Sequence, residues 1–204
     1  MSSAHYSMSF TTGGLFQQES AELAQLYLET SDWQAVREQV VSKNLLQSRT
    51  LNSSRRICSE IISRLKQLSL PELSSLPSAS SRDQAYILWV ALCRRYEFIG
   101  DFATEVLRER YTKLQPDLTP DDFEAFFHKK AEWHTELEQL SDSTHQKLRQ
   151  VLFKLLKDVG LLSKENLIQT PIWNPELLNV LKKPGSSSFQ FFPVFEADLE
   201  RITS

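Results

Sequence analysis

Glycine is scarce in this chain, with 5 residues in 204, and no apolar run exceeds the nine residues from Ala85 to Cys93. A bilayer-spanning helix takes about 20 apolar residues, so no membrane crossing is expected. The opening stretch MSSAHYSMSFTTGG has no basic start followed by an apolar core, which excludes a secretion signal and points to the cytoplasm. Cysteine is also sparse. Cys58 and Cys93 each sit within a helical pattern, without a second Cys or a His at metal-ligand spacing, and read as buried thiols of a reducing compartment. The four histidines, His5, His128, His134 and His145, form no i, i+4 pair and no HExxH. TTGG at 11–14 lacks the lysine and following hydroxyl of a phosphate loop, and reads as a turn before the first helix. Asp121, Asp122 and Glu124 lie in a first helical turn, where the macrodipole favours carboxylates. No nucleophile, base and orienting group assemble from local spacing. The expectation is a protein that is not an enzyme and carries no metal or cofactor.

What the chain has in abundance is helix. It is 41% hydrophobic and 24% charged, an ordinary globular balance, and rich in Leu, Glu, Gln, Lys and Arg. Ser31 with Gln34, Ser81 with Gln84, and Ser143 with Gln146 match the capping box; Thr119-Pro120 and Asn174-Pro175 place a capping side chain before a first-turn proline. These signals predict helices at 18–30, 32–43, 53–68, 82–99, 101–114, 120–139, 143–159 and 175–182, with Gly100 as a stop and Asp101 as the next cap. The stretch 82–99 is apolar all round and reads as the core helix, with Arg94 and Arg95 compensating its dipole. Residues 166–173 and 188–195 are strand candidates, and Pro193 would confine the second to an edge. The Ser/Pro-rich residues 69–81 read as a linker between an N-terminal subdomain, 1–68, and a C-terminal one, 82–204. The expected fold is all-α (mainly α), a helical globule with helix-turn-helix elements; a small C-terminal β-hairpin wing stays open as an addition.

Charge is segregated. Residues 42–68 carry +5 and residues 143–164 carry +4 in a chain of net −3, leaving −12 elsewhere. A phosphate backbone is attracted by such local fields rather than by net charge. In the first segment Ile57, Ile61, Ile62, Leu65 and Leu68 form one apolar stripe. The opposite side presents Arg56, Ser59, Ser63 and Gln67, flanked by Arg55 and Lys66, with Arg49 just before the helix. Small hydroxyl side chains permit close approach, and the basic residues reach phosphates. The preceding helix, with Trp33, Val36, Val40 and Val41 as its apolar positions, completes a helix-turn-helix layout, although the connection LLQSRTLN exceeds the usual three or four residues. In the second segment Leu148, Val151, Leu152, Leu155, Leu156 and Val159 form the stripe. Gln146, Gln150, Lys154 and Lys157 lie opposite, flanked by Lys147 and Arg149. Followed by Gly160 and two strand candidates, this helix reads as part of a winged helix. Gln146, Arg149 and Gln150 would lie near base edges, and Lys147, Lys154 and Lys157 on phosphates, with an electrostatic rather than sequence-reading contact the expected outcome.

The stretches TTGGLFQQES, QSRTLNSSRRICSEIISRL, LWVALCRRYEFIGDFATEVLRERY and LSDSTHQKLRQVLFKLLKDVGLL resemble the BrxA family of bacteriophage exclusion (BREX) defence systems. The likeness runs over nearly the whole chain in consistent order. It implies an all-helical cytoplasmic protein that binds double-stranded DNA through helix-turn-helix elements; separately, the chain is expected to be a monomer. It also implies work beside a methyltransferase, an ATPase, a phosphatase-like protein and a AAA+ protein. A second class stays open: an adaptor whose helices dock onto other components of the defence complex and whose basic faces meet an acidic protein.

Overall fold

The computed structural model describes residues 6–182 and 188–203, and His5 lies outside them. The chain forms two units: Leu15–Arg95, and Met1–Gly14 together with Tyr96–Ser204.

The unit of residues 15–95 holds α1 (Gln17–Thr30), α2 (Trp33–Ser42), α3 (Leu51–Leu65), α4 (Leu70–Ser75) and α5 (Ser81–Arg95). Helices α1, α2 and α3 each pack against the other two, and α5 packs against α1 and α3. The apolar-all-round expectation for α5 is met: Ala85 to Cys93 are all buried. The caps sit one residue from where the capping-box pattern put them. Ser31 is left-handed (φ 53°) and ends α1, while Asp32 caps α2 by accepting from the Gln34 amide at 2.8 Å. Ser80, not Ser81, accepts from the Asp83 amide at 3.2 Å to start α5.

The stretch expected as a linker, 69–81, is instead built into this unit. Ser69 and Glu72 form a reciprocal capping box around α4, with Pro71 in its first turn. Leu73 and Leu76 are buried. Glu72 is fully buried and receives both Arg94 guanidinium nitrogens at 2.8 Å, while Arg94 also donates to the Gln67 carbonyl at 3.0 Å. Burial alone would raise the Glu72 carboxyl; the Arg94 guanidinium and the Ser69 amide outweigh it and hold the group below the usual carboxylate value. The Ser/Pro composition therefore conceals an anchored helix. The chain passes between the units elsewhere, at Gly14 and at Arg95–Tyr96.

The other unit begins with a 3₁₀ turn at Phe10–Thr12, closed by Gly13 (φ 82°). A side chain at Gly13 would be strained by that φ and would crowd the Thr11 carbonyl at 3.3 Å. Next come α6 (Glu97–Phe102), a π-helical segment (Ala103–Arg108), α7 (Glu109–Thr112), α8 (Pro120–Ala131), α9 (Thr135–Glu138), α10 (Asp142–Val159), α11 (Pro175–Leu181) and α12 (Glu196–Thr203). The helix break falls at Tyr96, which is extended (φ −120°, ψ 94°) with its ring buried against Phe10; Gly100 is a buried residue within α6 and stops nothing. The aromatic core centres on Phe98, within 5.1 to 6.0 Å of the Tyr6, Phe123, Phe126 and Phe127 rings. Burying each such ring contributes about 1.5–3 kcal/mol.

Neither strand candidate forms a strand, and there is none among the described residues. Residues 166–173 contribute only two isolated antiparallel bridges, Asp117 to Leu167 and Leu162 to Ile168. Ser188–Phe191 is a 3₁₀ turn. The reason is apolar demand: Phe189, Phe192 and Val194 are buried, and Trp173 packs edge-on against Phe189 and Phe192. An exposed hairpin would return those rings to water. The β-hairpin wing is thus absent among the described residues, whereas the mainly helical fold is as expected.

Candidate nucleic-acid interface

Thr50 starts α3. It is extended, and its hydroxyl accepts from the Ser53 amide at 3.1 Å. The eight-residue connection before it is ordered by local bonds: Leu45 N to the Val40 carbonyl at 3.1 Å, Gln47 N to the Asn44 carbonyl at 2.9 Å, and Ser48 N to Asn44 Oδ1 at 3.1 Å. Asn44 and Gln47 both turn through the left-handed region (φ 47°). The inner face of α3 buries Ser54, Cys58, Ile61, Ile62 and Leu65. Ile57 and Leu68, expected in the stripe, are half-buried.

On the outer face Arg49, Arg55, Arg56 and Lys66 are exposed and make no ion pair among the described residues. Ser59 lies half-buried between them. Ser63 is committed within the unit: its hydroxyl donates to the Glu60 carbonyl at 2.8 Å and accepts from Arg95 Nε at 3.4 Å. Arg64, although basic, is only 2% exposed; its Nε meets Glu60 at 2.6 Å and its guanidinium lies 5.4 Å from the Phe16 ring centre. The single acid of the segment is thereby spent on the one buried cation, and the exposed cations keep their charge. The earlier start of α3 also brings in two residues that the expected start at 53 left in a loop. Leu51 is 51% exposed, and Asn52 is exposed on the same side as Arg55 and Arg56. The signal was Thr50 followed three residues later by Ser53, a weaker cap pattern than Ser/Thr with Glu or Gln.

Helix α10 is arranged differently. Ser141, not Ser143, is its cap, accepting from the Thr144 amide at 3.3 Å. This leaves Gln146 out of the capping bonds and exposed, like Lys147 and Gln150. The six stripe residues from Leu148 to Val159 are all buried, as expected. Arg149, however, is half-buried and bound to Glu124 of α8 at 2.5 Å, with His145 3.1 Å from the same carboxylate. Lys154 pairs with Asp158 one turn on, and Lys157 donates to the Lys164 carbonyl at 3.4 Å. Two of the four basic residues assigned to this face therefore already have anionic partners.

A family model described as BrxA matches residues 4–185 of the chain. Similar proteins include the BREX protein BrxA of Escherichia coli O9:H4 (strain HS), 28% identical over 175 residues, which span 85% of this chain and 82% of that protein. The BREX protein BrxA of Bacillus cereus (strain H3081.97) is 24% identical over 157 residues, 76% of this chain and 78% of its own. An uncharacterized protein from Magnetospirillum magneticum, solved by crystallography, superposes with a TM-score of 0.76 over 92% of this chain and 97% of the other at 20% identity, a likeness of fold.

Proposed function

The chain belongs to the BrxA family, and from that premise we propose that it is a non-enzymatic component of a BREX phage-defence system that binds double-stranded DNA, with α2 and α3 as a helix-turn-helix. It works beside the other BREX proteins, the methyltransferase, ATPase, phosphatase-like protein and AAA+ protein. The observation that carries DNA binding is the outer face of α3, where Arg49, Arg55, Arg56 and Lys66 stand exposed without carboxylate partners among the described residues. Unpaired exposed cations on a rigid helix displace condensed counterions from a duplex without first breaking an ion pair. The mutual packing of α1, α2 and α3 supports presentation of α3 as the third helix of a compact trihelical unit. Helix α10, with Gln146, Lys147, Gln150 and Lys157 exposed, is the secondary contact.

A mobility-shift titration against random-sequence duplex at two salt concentrations tests this. Binding should weaken steeply with salt, and Arg55, Arg56 and Lys66 together changed to Ala should flatten log affinity against log salt by up to about three contacts of 0.9 each. No shift at low salt would remove the reading.

The adaptor alternative is favoured by different surfaces. Trp133 is 76% exposed, and a cleft of about 460 Å³ opens beside Leu26, Leu45 and Pro77. A protein that ignores duplex yet retains another BREX component in pull-down is an adaptor.

A further inference from the structure

Resting on the DNA-binding reading of α3, we propose that the first turn of this helix reads an A·T pair in the major groove, with Asn52 bonding the adenine and Leu51 meeting the thymine methyl. At about 100° per residue, Asn52 lies at the centre of the outer stripe, with Arg56 about 40° to one side and Arg55 about 60° to the other. Ser59, Ser63 and Lys66 continue the same stripe along the helix. The N-terminal end of a recognition helix is the part that reaches base edges. Here that end carries a short neutral amide, and the long cations stand one turn behind it, where phosphates lie.

The chemistry selects the base. A carboxamide offers a donor and an acceptor side by side, matching the N7 acceptor and N6 amino donor of adenine, whereas guanine presents two acceptors in that groove. The Asn52 amide is not consumed by the fold. It makes no hydrogen bond among the described residues, because Thr50 performs the capping through Ser53. Leu51 supplies the second half. It is 51% exposed, although Cys58, Ile61, Ile62 and Leu65 on the inner face are all buried. An apolar side chain at the tip of a basic helix fits a thymine methyl, the apolar group displayed in the major groove opposite adenine.

The test selects duplexes from a random library with the intact protein, then measures affinity for the enriched site in three forms: natural, with 7-deazaadenine at the shared adenine, and with uracil for its paired thymine. The enriched sites should share an A·T pair. Asn52→Ala should weaken binding to the natural site by roughly 5- to 150-fold and leave random duplex within about twofold. The 7-deazaadenine site should weaken the unmodified protein and not Asn52→Ala; the uracil site should weaken the unmodified protein and not Leu51→Ala. The base analogues act on the unmodified protein and so do not depend on how any variant folds. Binding that is steep in salt but enriches no sequence, or analogues that affect protein and variants equally, would overturn base reading and leave DNA binding standing. Failure to bind any duplex would overturn both.

Discussion

Helices α3 and α10 each bury one apolar stripe and turn a basic face outward, one helix in each unit. Around α3 the exposed Arg49, Arg55, Arg56 and Lys66 meet no carboxylate among the described residues, because Glu60 is turned to the buried Arg64. Along α10, Arg149 is bound by Glu124 and Lys154 by Asp158. Similar charge in the sequence is unequal charge in space. A cation held in an ion pair must give up that partner before it can take a phosphate, and the exchange returns little free energy. What a duplex senses is the charge that the neighbours leave unneutralised.

The α3 face can present its cations only while the helix is held in place, and its anchor can be removed. Arg94→Ala strands the buried Glu72 carboxylate and frees the Gln67 carbonyl just beyond α3. It should lower unfolding stability by about 3–5 kcal/mol in urea denaturation, the cost of removing one partner of a buried pair. The same pair sets an acid limit. The Glu72 carboxyl is held below its ordinary 4.5, so its contribution is complete above that pH and is lost as pH falls through the lower folded value. Glu72→Gln should remove this part of the acid sensitivity, as measured by denaturation between pH 7 and pH 3.

Next in size is the effect of the exposed cations themselves. Arg55, Arg56 and Lys66 changed together to Ala should reduce the salt slope by up to about 2.7, whereas Lys147, Lys154 and Lys157 changed together should reduce it by less. A larger loss from the α10 set would reverse the ranking of the two helices. Releasing a cation should do the opposite: Glu124→Gln leaves Arg149 unpaired and should steepen the slope by up to about 0.9, read in the same titration. The smallest effect belongs to Gln150→Ala, which should change affinity for random duplex by less than about twofold, since an exposed neutral amide releases no counterion.

Most helices were legible because their signals are local. Apolar periodicity and Thr119-Pro120 or Asn174-Pro175 report on neighbouring residues, and both of those caps are present. Cap positions slipped where hydroxyls occur in runs, as at Ser80-Ser81 and Ser141-Asp142-Ser143, since any member can cap and the backbone decides which one does. The α3 cations and the α10 stripe were legible for the same local reason. The neutralisation of Arg149 was not, because Glu124 lies 25 residues away on another helix. Nor was the capture of Ser63 by Arg95, 32 residues on. The 69–81 segment misled through composition: serine and proline suggest a tether, but Ser69, Pro71 and Glu72 are also the ingredients of a helix start.

The route of the chain has a consequence for the order of events during folding. Tyr6 and Phe10 belong with Phe98, Asp101 and Glu136, so their partners arrive 88 to 130 residues later in synthesis. Residues 15–95 lie wholly between and have their own core. If they fold first, the loop that Tyr6 and Phe10 must close is shortened from a flexible chain of some 80 residues to a compact insert, which lowers the entropic cost of closure. Pulse-labelled hydrogen exchange during refolding should then show amides of α1 to α5 protected before that of Gly13. Residues made before their partners would then be among the last to find their place.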